Sequence, residues 1–324
     1  MILVLVELDS EESAEVSREA LTFARSLSAA GGGVPIDAAV VGEADAGSLA
    51  RLGEYAVRDV HHVTGAAFSA YSAAAWAAAL QSVQGTAGSV VVMAGGTNRG
   101  LEVLAHFAAR SGVAMAANVV SFGGLAPFTV TRQVVGGAVL EEMLLDDRPA
   151  VFTVAGHAVE ATTADAATTP TIHESTPEIA SADLVARVVS TQPRPVGEGG
   201  NLKTARVVVG AGRGAGGPDG FGAVLELAEL LGGTLGVSRV VTSLGWRPHH
   251  EQGGQTGTRI SPEVYIPCGI SGAIQHWAGC ASSKVILAIN TDAEAPMVTK
   301  ATYAVIGDMH EVVPAISEEL KSRG

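Results

Sequence analysis

The chain has 324 residues, 47% hydrophobic and 16% charged, with a mean hydropathy of +0.31; that apolar content excludes a disordered chain, and the length favours two domains over one. A net charge of -13, with lysine scarce among 20 cationic residues, excludes a protein that grips a nucleic-acid backbone through basic clusters. Glycine is the outlier at 40 residues, against a usual ~7%, and nearly half of these glycines lie between 199 and 279, which marks that stretch for the chemistry.

The N-terminal run MILVLVELDSEES has no basic start and no small-residue cleavage site, so it reads as a buried strand and not as a signal peptide. Apolar strand-like runs at 2–6, 36–41, 57–63, 89–93 and 115–120 alternate with helix-period segments at 11–28, 45–53, 69–83 and 99–111. Continuous apolar strands alternating with helices predict a parallel sheet covered on both faces. From 127 to 155, strand-like pieces separated by turns predict an antiparallel hairpin or meander that closes this domain. Hydrophobic density falls from 160 to 203, and PRPVGEGGN at 193–201 reads as a surface linker. The expected domains are therefore 1–195 and 196–324. In the second, strands at 205–209, 234–237, 263–268, 284–289 and 302–306 alternate with helices at 219–231, 271–278 and 309–321. The fold class is thus α/β, with two doubly wound domains. The apolar stretch 70–80 is shorter than the ~18–20 residues of a bilayer span. Cys268 and Cys280 form neither a metal motif nor a disulfide framework. The expected location is the cytoplasm.

Two glycine-rich turns carry the candidate chemistry. GAGRGAGG follows the strand at 205–209, but Gly212, Gly214 and Gly217 fit a dinucleotide fingerprint only loosely, and the acidic residue expected ~20 positions on is missing. Isolated arginines in such surroundings serve planar anion recognition or reflect biased composition, and the sequence leaves both open. GISGAIQH at 269–276 ends a strand and opens a helix, so Ser271 and the nearby amides either hold a pyrophosphate or cap and pack the helix. Thr97-Asn98-Arg99-Gly100 reads as a helix-opening turn. His249, His250 and Glu251 are adjacent and cannot easily converge on one ion, so no metal site is expected.

Ser238-Arg239, Gly254-Gln255-Thr256-Gly257, GISGAIQH, Ala288-Ile289-Asn290-Thr291-Asp292 and Gly307-Asp308, in that order, resemble the alpha subunits of the electron transfer flavoproteins. The N-terminal half resembles them more weakly, mainly over Met93 to Leu101. The resemblance implies an N-terminal domain similar to adenine-nucleotide alpha-hydrolases and a C-terminal Rossmann-like domain that holds FAD noncovalently. By the same resemblance, Arg239 lies near the isoalloxazine and favours its reduced, negatively charged form. Thr256 offers its hydroxyl to flavin N5, and His276 donates toward O2. Arg213 is the arginine of the flavin site, Ser238 and Ser271 contact phosphate, and Gly253, Gly254, Gln255, Gly257, Gly272, Ala273, Ile274 and Gln275 line the cofactor. Asn290, Asp308 and Met309 fall at the adenosine end. The resemblance further implies a beta subunit carrying AMP or a second FAD, dehydrogenases as donors, including those of fatty acid beta-oxidation, and a quinone-oxidoreductase-like acceptor. No catalytic acid or base is implied. The chain departs from the family at Ser243, His249, His250 and Thr258, where Asp, Asn, Asp and Lys are usual. An NAD(P)-dependent oxidoreductase subunit and a nucleotide-binding regulatory module are the alternatives.

Overall fold

The computed structural model describes residues 1–9, 12–137, 139–186, 188–190, 202 and 204–323. The chain divides into two compact units, Met1–Gln133 with Leu140–Gln192, and Val134–Val139 with Pro193–Gly324. The boundary expected at 195/196 and the linker at 193–201 lie outside the described residues.

The first unit contains strands β1 (Ile2–Leu5), β2 (Leu8–Asp9), β3 (Glu12–Ser13), β4 (Ile36–Val41), β5 (Asp59–Val63), β6 (Val91–Gly95), β7 (Met115–Leu125), β8 (Phe128–Val134), β9 (Val139–Leu144), β10 (Ala150–Val154) and β11 (Thr171–Ser175). Helices α1 (Glu15–Ala30), α2 (Ala46–Arg51), α3 (Ala73–Ala87) and α4 (Asn98–Ser111) accompany them. Nine strands form one sheet in the order β11-β5-β4-β1-β6-β10-β7-β8-β9. Along β1, Ile2 and Val4 enter one apolar cluster while Leu3 and Leu5 enter another. A strand flanked by core on both faces has no room for alternation, which explains its unbroken apolar run. Thr97 caps α4 by accepting the Gly100 N–H at 2.8 Å, and Gly112 ends it in the left-handed conformation.

Two expectations are corrected here. The segment 127–155 is not a simple meander, because β8 runs antiparallel to β7 but β10 inserts parallel between β6 and β7. Its five residues are all buried, and only a central position hides both faces. The stretch after 160 also contains β11, a parallel edge strand on β5 whose residues are all exposed. Low hydrophobicity concealed a strand that buries neither face.

The second unit contains β12 (Val207–Ala211), β13 (Thr234–Val237), β14 (Val264–Cys268), β15 (Val285–Asn290) and β16 (Tyr303–Ile306), with α5 (Gly222–Leu230), α6 (Arg239–Ser243), α7 (Ile274–Cys280), α8 (Pro296–Thr299) and α9 (Met309–Arg323). Its sheet is wholly parallel in the order β13-β12-β14-β15-β16. The helix expected from 271 starts at Ile274, because Gly272 takes a φ of +78° and the preceding turn stays out of the helix. The short helices α6 and α8 were not anticipated; each is too short to show a period. No helix among the described residues is long and apolar enough to cross a membrane.

Candidate functional site

In the second unit the chain begins at β12, moves outward to β13, then returns past β12 to β14. The crevice beyond the carboxyl ends of β12 and β14 is therefore a topological switch point, where doubly wound sheets hold their ligands. A cleft of about 610 Å³ opens there, lined from the ends of all five strands. That volume falls within the ~300–1,000 Å³ of ligand sites.

Glycine builds its floor. Gly212 N–H donates to the Cys268 carbonyl at 3.0 Å and Gly214 N–H to the Gly269 carbonyl at 3.1 Å, so the two strand-end loops touch through their backbones. A methyl group on Gly212 would overlap the Gly269 carbonyl, and one on Gly214 would lie 2.7 Å from the Gly269 Cα. Gly269 itself has a φ of +59° and rests against the sulfur of Met309.

The walls carry polar groups without partners. Ser238 precedes α6, is 9% exposed, and its Oγ meets no hydrogen-bonding atom among the described residues. His276, on α7, is 9% exposed, with Nδ1 unpartnered and Nε2 2.7 Å from the Tyr265 hydroxyl. Burial pulls its pKa down to about 4, so the ring is neutral at pH 7. Arg213 and Arg239 project from the first turns after β12 and β13, are exposed, and make no side-chain ion pair among the described residues.

Thr256 is prepared differently. The buried Gln252 donates from Nε2 to the Thr256 hydroxyl oxygen at 3.0 Å, and its own Oε1 accepts from Thr242 at 2.8 Å. With its oxygen occupied, the Thr256 hydroxyl hydrogen is left to donate outward. Sequence reasoning missed Gln252; its one signal is that it directly precedes the Gly253-Gly254 pair. The loop closes through backbone bonds, Gly254 N–H to Thr258 O at 3.0 Å and Thr258 N–H to Gln252 O at 2.7 Å. Residue 258 thus closes the loop through main-chain atoms, which any side chain supplies.

Most of the expected residues line this one cleft: Arg213, Ser238, Arg239, Gly253, Gly254, Thr256, Ser271, Gly272, Ala273, Gln275, His276, Asn290, Asp308 and Met309. Gln255, Gly257 and Ile274 are not among the lining residues. Gln255 and Gly257 are exposed, and Ile274 is 78% exposed at the start of α7. Ser271 does not cap that helix, whose cap position is Ala273. Asn290 is committed to the scaffold, donating to the Ile270 carbonyl at 3.0 Å and accepting from Asp292 N–H at 3.1 Å. Asp308 likewise accepts from His310 N–H at 2.9 Å. Gly269, Ile270, Thr291, Asp292 and Gly307 also line the cleft, each within a block already singled out in the sequence. Beside it, Glu251 is bound by both arms of Arg247 at 2.6 and 2.7 Å.

An all-parallel sheet with a switch-point cleft, glycine turns, unpaired cations and unpartnered hydrogen-bonding atoms defines a dinucleotide-binding α/β protein. Residues 201–281 match the family model described as "Electron transfer flavoprotein FAD-binding domain", and residues 2–180 match the "Electron transfer flavoprotein domain". The chain belongs to the electron transfer flavoprotein family, on the side of its alpha subunits. It is 30% identical to the electron transfer flavoprotein subunit alpha of Bacillus subtilis (strain 168) over 323 residues, 99% of this chain and 97% of that one. It is 37% identical to that of Mycobacterium leprae (strain TN) over 232 residues, 72% of this chain and 71% of that one. Against that of Thermoanaerobacterium thermosaccharolyticum, 49% identity extends over 121 residues, 37% of each chain. FAD is accordingly the cofactor, and electron transfer the function.

Proposed function

We propose that FAD occupies this cleft and that the chain relays electrons as one half of a heterodimer with a beta subunit, from dehydrogenases to a quinone-oxidoreductase-like acceptor. FAD supplies the electron chemistry when bound; the protein orients it and sets its potential. Arg239 and Arg213 present fixed cations that favour added negative charge. Ser238 and Ser271 offer hydroxyls to phosphate, Thr256 donates its free hydroxyl hydrogen to the ring, and His276 donates from an uncharged imidazole. Gly212, Gly214 and Gly269 let backbone approach where side chains would intrude.

The observation that carries this reading is the gathering, around one cleft, of two residues with a buried polar atom that has no partner among the described residues and of two arginines that form no ion pair among them. Buried polar atoms left without partners cost ~1–3 kcal/mol each, so such a wall is stable when a polar ligand completes it. Coexpressed with its beta subunit, the chain is expected to purify with one FAD on this chain by visible spectrum and flavin count. In the same preparation, Arg239→Ala should lower the flavin potential by about 60–130 mV, the one-electron equivalent of a charged hydrogen bond of ~1.5–3 kcal/mol. A stable colourless heterodimer that ignores added FAD would sink the proposal. Hydride transfer with NAD(P) and no flavin absorbance would establish the alternative oxidoreductase.

A further inference from the structure

We propose that Tyr265 is a positioning residue for the cleft: its hydroxyl donates to His276 Nε2, which leaves the one imidazole hydrogen on Nδ1 and makes His276 a hydrogen-bond donor to the bound flavin. Tyr265 lies on β14, is 1% exposed, and stands behind the cleft wall, touching neither solvent nor the cleft. Its ring and that of His276 stack at 6.1 Å with an interplanar angle of 28°, and the hydroxyl lies 2.7 Å from Nε2. Room for the tyrosine is built into a glycine: a methyl on Gly210 of β12 would come within 2.7 Å of the Tyr265 hydroxyl.

The direction of the hydrogen bond follows from counting partners. The hydroxyl has no other bonding partner among the described residues, and Nδ1 has none. If Nε2 held the hydrogen and donated to the phenol oxygen, two buried groups would be stranded, the phenol hydrogen and the bare Nδ1. With the phenol donating, only the Nδ1–H is left, on a residue that lines the cleft. Burial holds both groups uncharged, raising the Tyr265 pKa and lowering that of His276, so neither an imidazolium nor a phenolate offers another solution. A free histidine would sample both tautomers. Here the strand behind the cleft selects one.

This assignment rests on FAD as the occupant of the cleft, so its test reads the ring directly as well as through the cofactor. Long-range proton–nitrogen correlation spectra of the histidine-labelled heterodimer, with the His276 signal assigned by its loss in His276→Gln, report the tautomer whether or not flavin is bound. The wild type is expected to show Nδ1–H with Nε2 bare. In Tyr265→Phe, which removes only the hydroxyl, the two tautomers should mix and FAD should bind about tenfold more weakly, consistent with the usual cost of a lost buried hydrogen bond. Nε2–H in the wild type overturns the assignment. So does a Tyr265→Phe protein with unchanged tautomer and unchanged FAD affinity. Should that variant fail to fold, the wild-type tautomer decides alone. A heterodimer that takes up no FAD but keeps Nδ1–H supports the tyrosine's hold on the ring and overturns only the flavin as its recipient.

Discussion

Each unit has a sheet whose first strand lies inside it, so each has a switch point, yet the two crevices are finished in opposite ways. In the first unit β1 lies between β4 and β6, and the crevice falls where Glu7 follows β1 and Thr97 follows β6. There the Thr97 hydroxyl bonds the Glu7 carboxyl, the Glu7 N–H donates to Ser17 at 3.0 Å, and the Gly96 N–H donates to Val154 O at 2.7 Å. Gly95 packs so close to Val16 that a methyl would sit 2.7 Å from it. The polar atoms named have found one another. In the second unit the corresponding position leaves Ser238 Oγ and His276 Nδ1 unmatched beside two arginines that form no ion pair among the described residues. Topology decides where a crevice forms; unspent hydrogen-bonding capacity decides which crevice is a site.

The harshest way to break the contrast is to fill the open crevice. Gly212→Ala places a methyl against the Gly269 carbonyl, and because both partners are backbone, neither loop can yield cheaply. Overpacking of this kind costs ~1–3 kcal/mol, and chemical denaturation should register a loss in the upper part of that range. Gel filtration should show FAD lost from the heterodimer at the same time. If Gly212→Ala kept its flavin and its stability, the touching glycine turns would not be what shapes the cleft.

The sequence made the second unit more legible than the first, for physical reasons. Apolar strands between glycine turns announce a parallel sheet, including β16, whose YAVI is apolar although exposed, and blocks such as GISGAIQH fix their own places at strand ends. The first unit hid β10 within what read as a meander, since a short run such as AVFTV looks alike in a hairpin and in a sheet centre. It hid β11 because TIHES buries neither face. Most residues that line the cleft stand in the quoted blocks, whereas Gln252 and Tyr265, which bond to Thr256 and His276 from behind it, carry no motif of their own. Gln255, Gly257 and Ile274 belong to the same blocks but do not line the cleft. A block identifies the loop, and only the backbone shows which of its residues face inward.

A gentler probe uses pH, because the two crevices bury groups of opposite charge type. His276 has its folded pKa depressed from 6.5 to about 4. Between those values the unfolded chain binds the proton that the folded chain refuses. The stability it contributes is therefore present above pH 6.5 and is lost as pH falls toward 4. Acidification from pH 7 to 5 should cost the second unit about 2 kcal/mol, seen as faster amide exchange in β14 and α7. His276→Gln should flatten the slope. An unchanged slope in that variant would show that the ring is not the buried group responsible.

The smallest expected effect lies in the closed crevice and has the opposite sign with pH. Burial raises the Glu7 pKa, while the Thr97 hydrogen bond and the Arg99 charge pull it back down. Thr97→Ala removes that hydrogen bond together with the cap of α4, a loss of ~1 kcal/mol for the cap. With the Thr97 contribution gone, the folded Glu7 pKa rises further, and a raised carboxyl pKa means stability lost as pH rises through it. The deficit of Thr97→Ala relative to wild type should therefore be larger at pH 8 than at pH 5, the reverse of the acid sensitivity of His276. Adding Glu7→Gln should remove the pH dependence and leave the cap deficit. FAD affinity should stay at the wild-type value in both variants, since neither residue lines the flavin cleft. A Thr97→Ala protein that lost FAD affinity would mean that the two crevices are coupled, and that the paired polar atoms of the first do more than close it.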